Sequence, residues 1–248
     1  MCKIRYILLI IVISFFSCKK EAIDPCAGYV DEVFQYPPFP ENGWENDWYE
    51  ESKALFEIPE QVLTCISTDN LITTCLNYPQ FNIFYTYDTW QSGFSFVALM
   101  SNGFQELPQR QDCGSVMLER YLTMNPFNQN LSEHDFLEFE IFMSQRVILK
   151  KLTLAEKLAL MEHALTINED KIDAGFQYSE GKIGGYVIMG RMMWIDNFQP
   201  FMEVFNEDTM VLLRIFIDDA QWFYNDWCKP DEIISEYAIQ YFEYLKEK

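Results

Sequence analysis

The sequence predicts an all-α fold, and three observations carry that expectation. Apolar residues recur at helical spacing through most of the chain, two capping-box patterns open amphipathic runs, and strand-like content is confined to two short stretches. Those stretches, residues 81–87 and 176–178, have no partner run of matching length, so no sheet is expected.

The first seventeen residues have the layout of an export signal: basic Lys3 and Arg5, an apolar run over 6–13, then Ser14, Phe15, Phe16 and Ser17. The run is too short to span a bilayer, which takes about 20 apolar residues, and Lys19 and Lys20 interrupt it. Ser17 directly before Cys18 is similar to a lipobox, although Phe15 and Phe16 stand where Leu and a small residue are usual. The expectation is cleavage before Cys18 and lipidation of its sulfur, with the bilayer as the partner of the acylated Cys18. The protein is then exported and lipid-anchored in the cell envelope, at the outer membrane. Three parts follow: a lipoprotein signal over 1–17, a tether and lead-in over 18–51, and an all-helical body over 52–248.

The lead-in contains Tyr36, Pro37, Pro38, Phe39 and Pro40 and then Asn42-Gly43, a composition for extended and turn backbone. Trp44, Trp48 and Tyr49 follow at one-turn spacing and predict a short helix docked on the body. Ser67 opens a run with Leu71, Ile72, Cys75 and Leu76 on one face, which Pro79 must stop. Asp112 is placed to cap a helix carrying Val116, Met117, Tyr121 and Leu122. Ser132 with Asp135 precedes a long helical stretch over 136–151, and Thr153 with Glu156 precedes Leu154, Leu158, Met161 and Leu165. The short join between these two predicts an antiparallel helical hairpin. A polar, glycine-containing break over 168–185 is followed by three helices, over 186–195, 208–227 and 231–248. The last carries an apolar stripe of Ile234, Tyr237, Ala238, Tyr241 and Leu245.

Of 248 residues, 49% are hydrophobic and 17% aromatic, enough for a packed core. The net charge of −20 repels nucleic-acid phosphates, so no nucleic-acid partner is expected. Beyond Cys2 and Cys18 the cysteines are Cys26, Cys65, Cys75, Cys113 and Cys228, with irregular spacing and no C-x-x-C pair. Cys65, Cys75 and Cys113 fall among apolar neighbours and are expected as reduced, buried thiols.

Ile58-Pro59-Glu60-Gln61-Val62-Leu63 and the stretch from Ser67 to Pro79 resemble an uncharacterised family of exported proteins and lipoproteins common in Bacteroidota-type bacteria. Its members carry a similar M-S-T-x-x-L-x-x-T-x-L-N-Y-P segment, with Ile66 here in place of Met. The likeness continues through Gln91-Ser92-Gly93-Phe94, Asn102 to Leu107 and Arg110 to Gly114, and covers about residues 57–126. It brings no activity, and implies a helical, HEAT-like body.

Chemistry-bearing strings are sparse. No G-x-S-x-G or H-E-x-x-H occurs, and His134 and His163 are isolated. Gly181, Gly184, Gly185 and Gly190 lack the Lys-Ser/Thr of a phosphate loop and suit a flexible turn entering a helix. Around Asp170, Asp173 and Gly175 the calcium-loop register fails, because Ile172 would occupy a ligand position. No metal and no cofactor are expected, and no catalytic residue is assigned. The most suggestive patch is residues 221–227. There Trp222, Tyr224, Asp226 and Trp227 are candidate ligand contacts suited to stacking on sugar rings, and a helix with aromatics all round equally suits core packing. Asp219 and Asp226 share a helical face beside Trp222 and Trp227. Two functions compete: a non-enzymatic binding or scaffold lipoprotein for a protein or glycan, and a polysaccharide or peptidoglycan hydrolase using a carboxylate pair.

Overall fold

A computed structural model describes Cys26 and residues 32–41, 43–45, 47–176, 183–204 and 230–248. Among the described residues the chain is all-α, with no strand. The first half contains α1 (Trp48–Leu55), α2 (Glu60–Cys65), α3 (Thr68–Leu76), a 3-10 turn (Phe81–Thr86), α4 (Trp90–Met100), α5 (Asn102–Glu106), a second 3-10 turn (Leu107–Gln109) and α6 (Cys113–Thr123). The second half contains α7 (Glu133–Met143), α8 (Arg146–Leu149), α9 (Leu154–Asp173), α10 (Ile183–Ile195), α11 (Gln199–Met202) and α12 (Pro230–Lys246). The 81–87 stretch, strand-like in content, coils into the first 3-10 turn and buries Phe81 and Phe84.

The helix starts follow the local chemistry. Ser67 accepts from the Asn70 N–H at the head of α3, and reciprocal capping boxes close at Ser132/Asp135 and Thr153/Glu156. Asp112 is an exception: it makes no cap bond and accepts from the Thr68 hydroxyl at 2.8 Å instead. Helix α3 ends as Pro79 requires, with Asn77 at the C-cap and Tyr78 beyond it. Leu71, Ile72 and Cys75 are wholly buried, whereas Leu76 is only half-buried.

The lead-in is part of the body. The Phe34 N–H donates to Thr74 Oγ1 at 3.2 Å, and Tyr36 packs edge-on against Phe56 and Tyr78. The boundary expected at 51/52 falls inside α1, so the folded unit already includes Phe34. Cys65 is also placed differently from expectation: it is bonded to Cys26, with a Cα–Cα distance of 5.0 Å. Cys65 ends α2 and is buried, as expected, but its sulfur is oxidised because the end of α2 meets the chain at Cys26. Cys75 and Cys113 are free and buried, as the apolar spacing indicates.

The segments around Ile58–Ile66 and Asn102–Arg110 bind one another. Asn102 brackets Ile58, accepting from its N–H at 3.0 Å and donating to its carbonyl at 2.8 Å. Arg110 donates to the carbonyls of Ile66 and Leu63 at 2.5 and 2.6 Å, closing the open end of α2. Gly93 lets α4 lie against the first 3-10 turn, where a Cβ would come 2.2 Å from the Phe84 carbonyl oxygen.

Two features of the second half depart from the sequence pattern. The expected single helix over 136–151 breaks at Ser144. Arg191 of α10 donates there to the Ser144 carbonyl and hydroxyl at 3.2 and 2.8 Å, replacing the lost helical bonds. The one-turn α8 then intervenes, so α7 meets the far end of α9 and not its start: Phe136 lies 5.5 Å from Phe176, and Glu140 pairs with Lys171. The tight hairpin is therefore offset. The buried face of α9 is Leu160, Met161, Ala164, Ile167, Asn168 and Lys171, while Leu154, expected inside, is exposed. Helix α10, enclosed by α7, α9 and α12, is the central element of this half.

Candidate functional site

The candidate contacts Trp222, Tyr224, Asp226 and Trp227, the lipidation site Cys18, Cys228, Gly181 and the helix expected over 208–227 lie outside the described residues. Among the described residues, no group of three His, Cys, Asp or Glu side chains is placed to hold a metal ion. Gly175 ends α9 instead of shaping a calcium loop. It sits at φ +84°, its N–H donates to the Ile172 carbonyl and the Phe176 N–H to the Lys171 carbonyl, which is a Schellman closure. His163 stands edge-on to Tyr121 at 4.7 Å, and burial pushes its imidazole below the usual value. The ring is a neutral packing element.

An open groove of about 460 Å³ lies between α3, α6 and α7. Thr73, Leu76 and Asn77 form one wall, Arg120, Thr123 and Met124 a second, and Asp135, Glu138 and Phe139 the third. Arg120 crosses from α6 to α3: its Nε meets Asp69 Oδ1 at 2.5 Å, and Nη2 donates to the Asp69 carbonyl and to Thr73 Oγ1. That guanidinium holds the Asp69 carboxyl below the usual carboxylate range. On the opposite wall burial, with Asp135 nearby, pushes Glu138 up to about 7, and the Tyr85 hydroxyl eases the rise. At neutral pH the Glu138 carboxyl therefore both donates and accepts. Asp135 is committed to its capping box, where Oδ2 accepts from the Ser132 N–H and hydroxyl at 2.6 Å each. The groove thus offers an apolar floor, neutral hydroxyl and amide groups, and one carboxyl of adjustable protonation.

A second polar group is sealed in the core. Glu140 Oε1 accepts from Tyr121 Oη and from Lys171 Nζ, both at 2.5 Å, and all three residues are 0% exposed. The ammonium also lies 5.0 Å from the centre of the Phe136 ring. Burial raises Glu140 and lowers Lys171 from their ordinary values, each opposing the other's shift. The Gly185 N–H, in the first turn of α10, faces the carboxylate with the positive end of that helix. Gly184 and Gly185 make the approach feasible, since Cβ atoms there would come 2.5 Å from Glu140 and 2.3 Å from Asn168. These two glycines are packing positions within a helix, not a flexible turn. With no solvent access, Glu140 and Lys171 fasten α7, α9 and α10 together and do not present chemistry to a ligand.

Glu138, Glu140 and Lys171 were not singled out by sequence reasoning. Glu140 sits in a run of Phe139, Ile141 and Phe142, and an acid flanked so closely by apolar residues was the available signal. Lys171 lies in the polar stretch where the sequence pattern predicts an interhelical break. No helix among the described residues is long and apolar enough to cross a membrane. No family model, curated protein or solved structure matches the chain.

Proposed function

We propose that this chain is a lipoprotein of the cell envelope, anchored through Cys18, whose helical body binds a protein or glycan partner in the groove between α3, α6 and α7. The observation that carries the binding role is the composition of that groove: half-buried Leu76, Met124 and Leu131 beside hydroxyl and amide groups and the Glu138 carboxyl. Export is supported by the leader over 1–17 and by the Cys26–Cys65 disulfide, a bond characteristic of oxidising compartments.

The competing hydrolase needs two carboxyls facing each other across a cleft with one kept protonated. Glu138 meets the second condition. Asp135 and Glu138, however, stand one turn apart on the same helix and form one wall, which favours binding.

A photo-crosslinking residue at Thr123 or Asn77, in cells producing the full chain, tests the binding role. One reproducible adduct from both groove positions and none from Glu60 supports it; equal labelling at Glu60 removes it. Release of reducing sugar from a glycan panel by the purified chain, abolished in Glu138→Gln, would replace it with the hydrolase. Cys18→Ala should abolish incorporation of a fatty-acid analogue, and undiminished incorporation would end the anchoring proposal.

A further inference from the structure

The groove between α3, α6 and α7 continues past the end of α6. Thr123, the last residue of that helix, and Met124, its cap, also line a second hollow of about 350 Å³, together with Pro126, Phe127, Ile167 and Asp170. The two hollows meet at one helix terminus, and each alone is of small-ligand size. Leu122 and Phe127, 42% and 57% exposed, keep large apolar surface open to solvent at the second hollow.

The apolar part of this lining is aliphatic and thioether in character. Leu76, Met124 and Leu131 are half-buried and able to pack on varied side chains, whereas the Phe139 ring is 4% exposed and presents no face for a sugar to stack on. The charge is lopsided. Asp135, Glu138 and Asp170 bring carboxyls to the two hollows, and Arg120, the cation among the described lining residues, is already matched by Asp69. Its Nε and Nη2 are spent on Asp69 and Thr73, while Nη1 makes no hydrogen bond among the described residues. A guanidinium so neutralised suits a neutral carbonyl acceptor better than a second carboxylate. The surface thus calls for apolar side chains, a backbone carbonyl and a positive charge in one molecule.

We infer that the groove and the hollow beyond it form one trough for an extended peptide segment with apolar side chains and a lysine or arginine among them, an inference that rests on the binding role proposed above. The apolar side chains lie on Leu76, Met124 and Leu131 and, past the end of α6, on Phe127 and Ile167. A backbone carbonyl accepts from Arg120 Nη1, and the basic side chain meets the Glu138 carboxyl. A glycan lacks both the apolar side chains and the cation, and an acidic peptide is repelled by the three carboxyls.

The test presents a bead-borne library of random seven-residue peptides to the full chain in lipid nanodiscs at pH 8, above the value of about 7 to which Glu138 is raised, with empty nanodiscs as the blank. Enrichment of peptides that combine apolar residues with a lysine or arginine is expected. Fluorescence anisotropy of one enriched peptide then reads the variants. Thr123→Trp, a change at an exposed position where the two hollows meet, should weaken binding about tenfold, and Glu138→Gln about fivefold, as for a half-buried ion pair worth about 1 kcal/mol. Glu60→Gln removes an equal charge from exposed α2 and should bind as the unaltered chain does. Both groove positions tolerate the change without opening the core, and unchanged circular dichroism verifies it. Binding untouched by Thr123→Trp would overturn the trough, and binding untouched by Glu138→Gln would overturn the place given to the basic residue. A library that enriches acidic sequences, or none above the blank, would overturn the peptide inference while a groove-specific cross-link from Thr123 and Asn77 still upheld the binding role. Equal cross-linking at Glu60 would remove both.

Discussion

Replacing Lys171 by Met should destabilise the protein severely, and replacing Glu140 by Gln as well should restore most of the loss. At 2.5 Å the pair's attraction is about 7 kcal/mol for an effective dielectric near 20, and desolvating two fully buried charges costs several kcal/mol each. The two contributions nearly cancel, so the intact pair adds little beyond what apolar contacts of the same volume supply. Removing one partner is different. Lys171→Met leaves Glu140 with Tyr121 and the Gly185 N–H in the core, and about 3 to 5 kcal/mol should be lost. Glu140→Gln alone strands the ammonium at similar cost, whereas the double variant keeps an acceptor for Tyr121 and should lie within about 2 kcal/mol of the parent. Burial already raises Glu140, and Lys171→Met removes the nearest opposing charge. A carboxyl raised in the folded state stabilises below its unfolded value and loses that contribution as pH rises through the folded value. The deficit of Lys171→Met should accordingly grow from pH 5 to pH 8. Urea midpoints for the four proteins at both pH values measure the cycle. Additive single effects, or a Lys171→Met variant as stable as the parent, would refute the account of a sealed, mutually dependent pair.

Leu71→Ala should cost about 2 to 5 kcal/mol, because Leu71 is 0% exposed in the centre of α3, and a denaturant midpoint within 0.5 kcal/mol of the parent's, on the order of measurement error, would contradict its core placement. Glu138, raised from 4.5 to about 7, makes the folded state more stable below pH 4.5 and loses that advantage as pH climbs through 7. Converted directly, the shift is about 3 kcal/mol; with solvent reaching the half-buried side chain, about 1 kcal/mol is realistic. Glu138→Gln should therefore gain about that much at pH 8 and little at pH 4, read by thermal melts at both. Cutting the Cys26–Cys65 bond by Cys65→Ser releases a loop of sequence separation 39, worth about 4 kcal/mol of chain entropy, and a lowered melting temperature that mild reductant no longer changes is the expected signature.

The helical class, the two capping boxes, the stop at Pro79 and the stripe of α12 were legible because each depends on residues within a turn or two of one another. What escaped was set by contacts distant in sequence. Lys171 looks like a solvated residue until Glu140 is known to lie opposite it, Asn168 until Gly185 is known to pack on it, and the break at Ser144 makes sense only with Arg191 beside it. The oxidation of Cys65 is hidden for the same reason: the sulfur that pairs with it lies at Cys26. The segments around Ile58, Ile66 and Thr68 are tied to Asn102, Arg110 and Asp112 across about forty residues.

The Cys26–Cys65 bond also acts as a short leash. With lipid on Cys18, only the stretch from Cys18 to Cys26 separates the acyl chains from a residue fixed to α2, and fully extended it reaches about 29 Å. A lipoprotein with a free arm of thirty or more residues patrols a wide volume. Under the proposed anchor at Cys18, the covalent stitch would cut the arm short and keep the end of α2 within a bilayer's thickness of the membrane surface. On that proposal a partner would have to come to the membrane to be met, and reducing the stitch would lengthen the reach without altering the anchor.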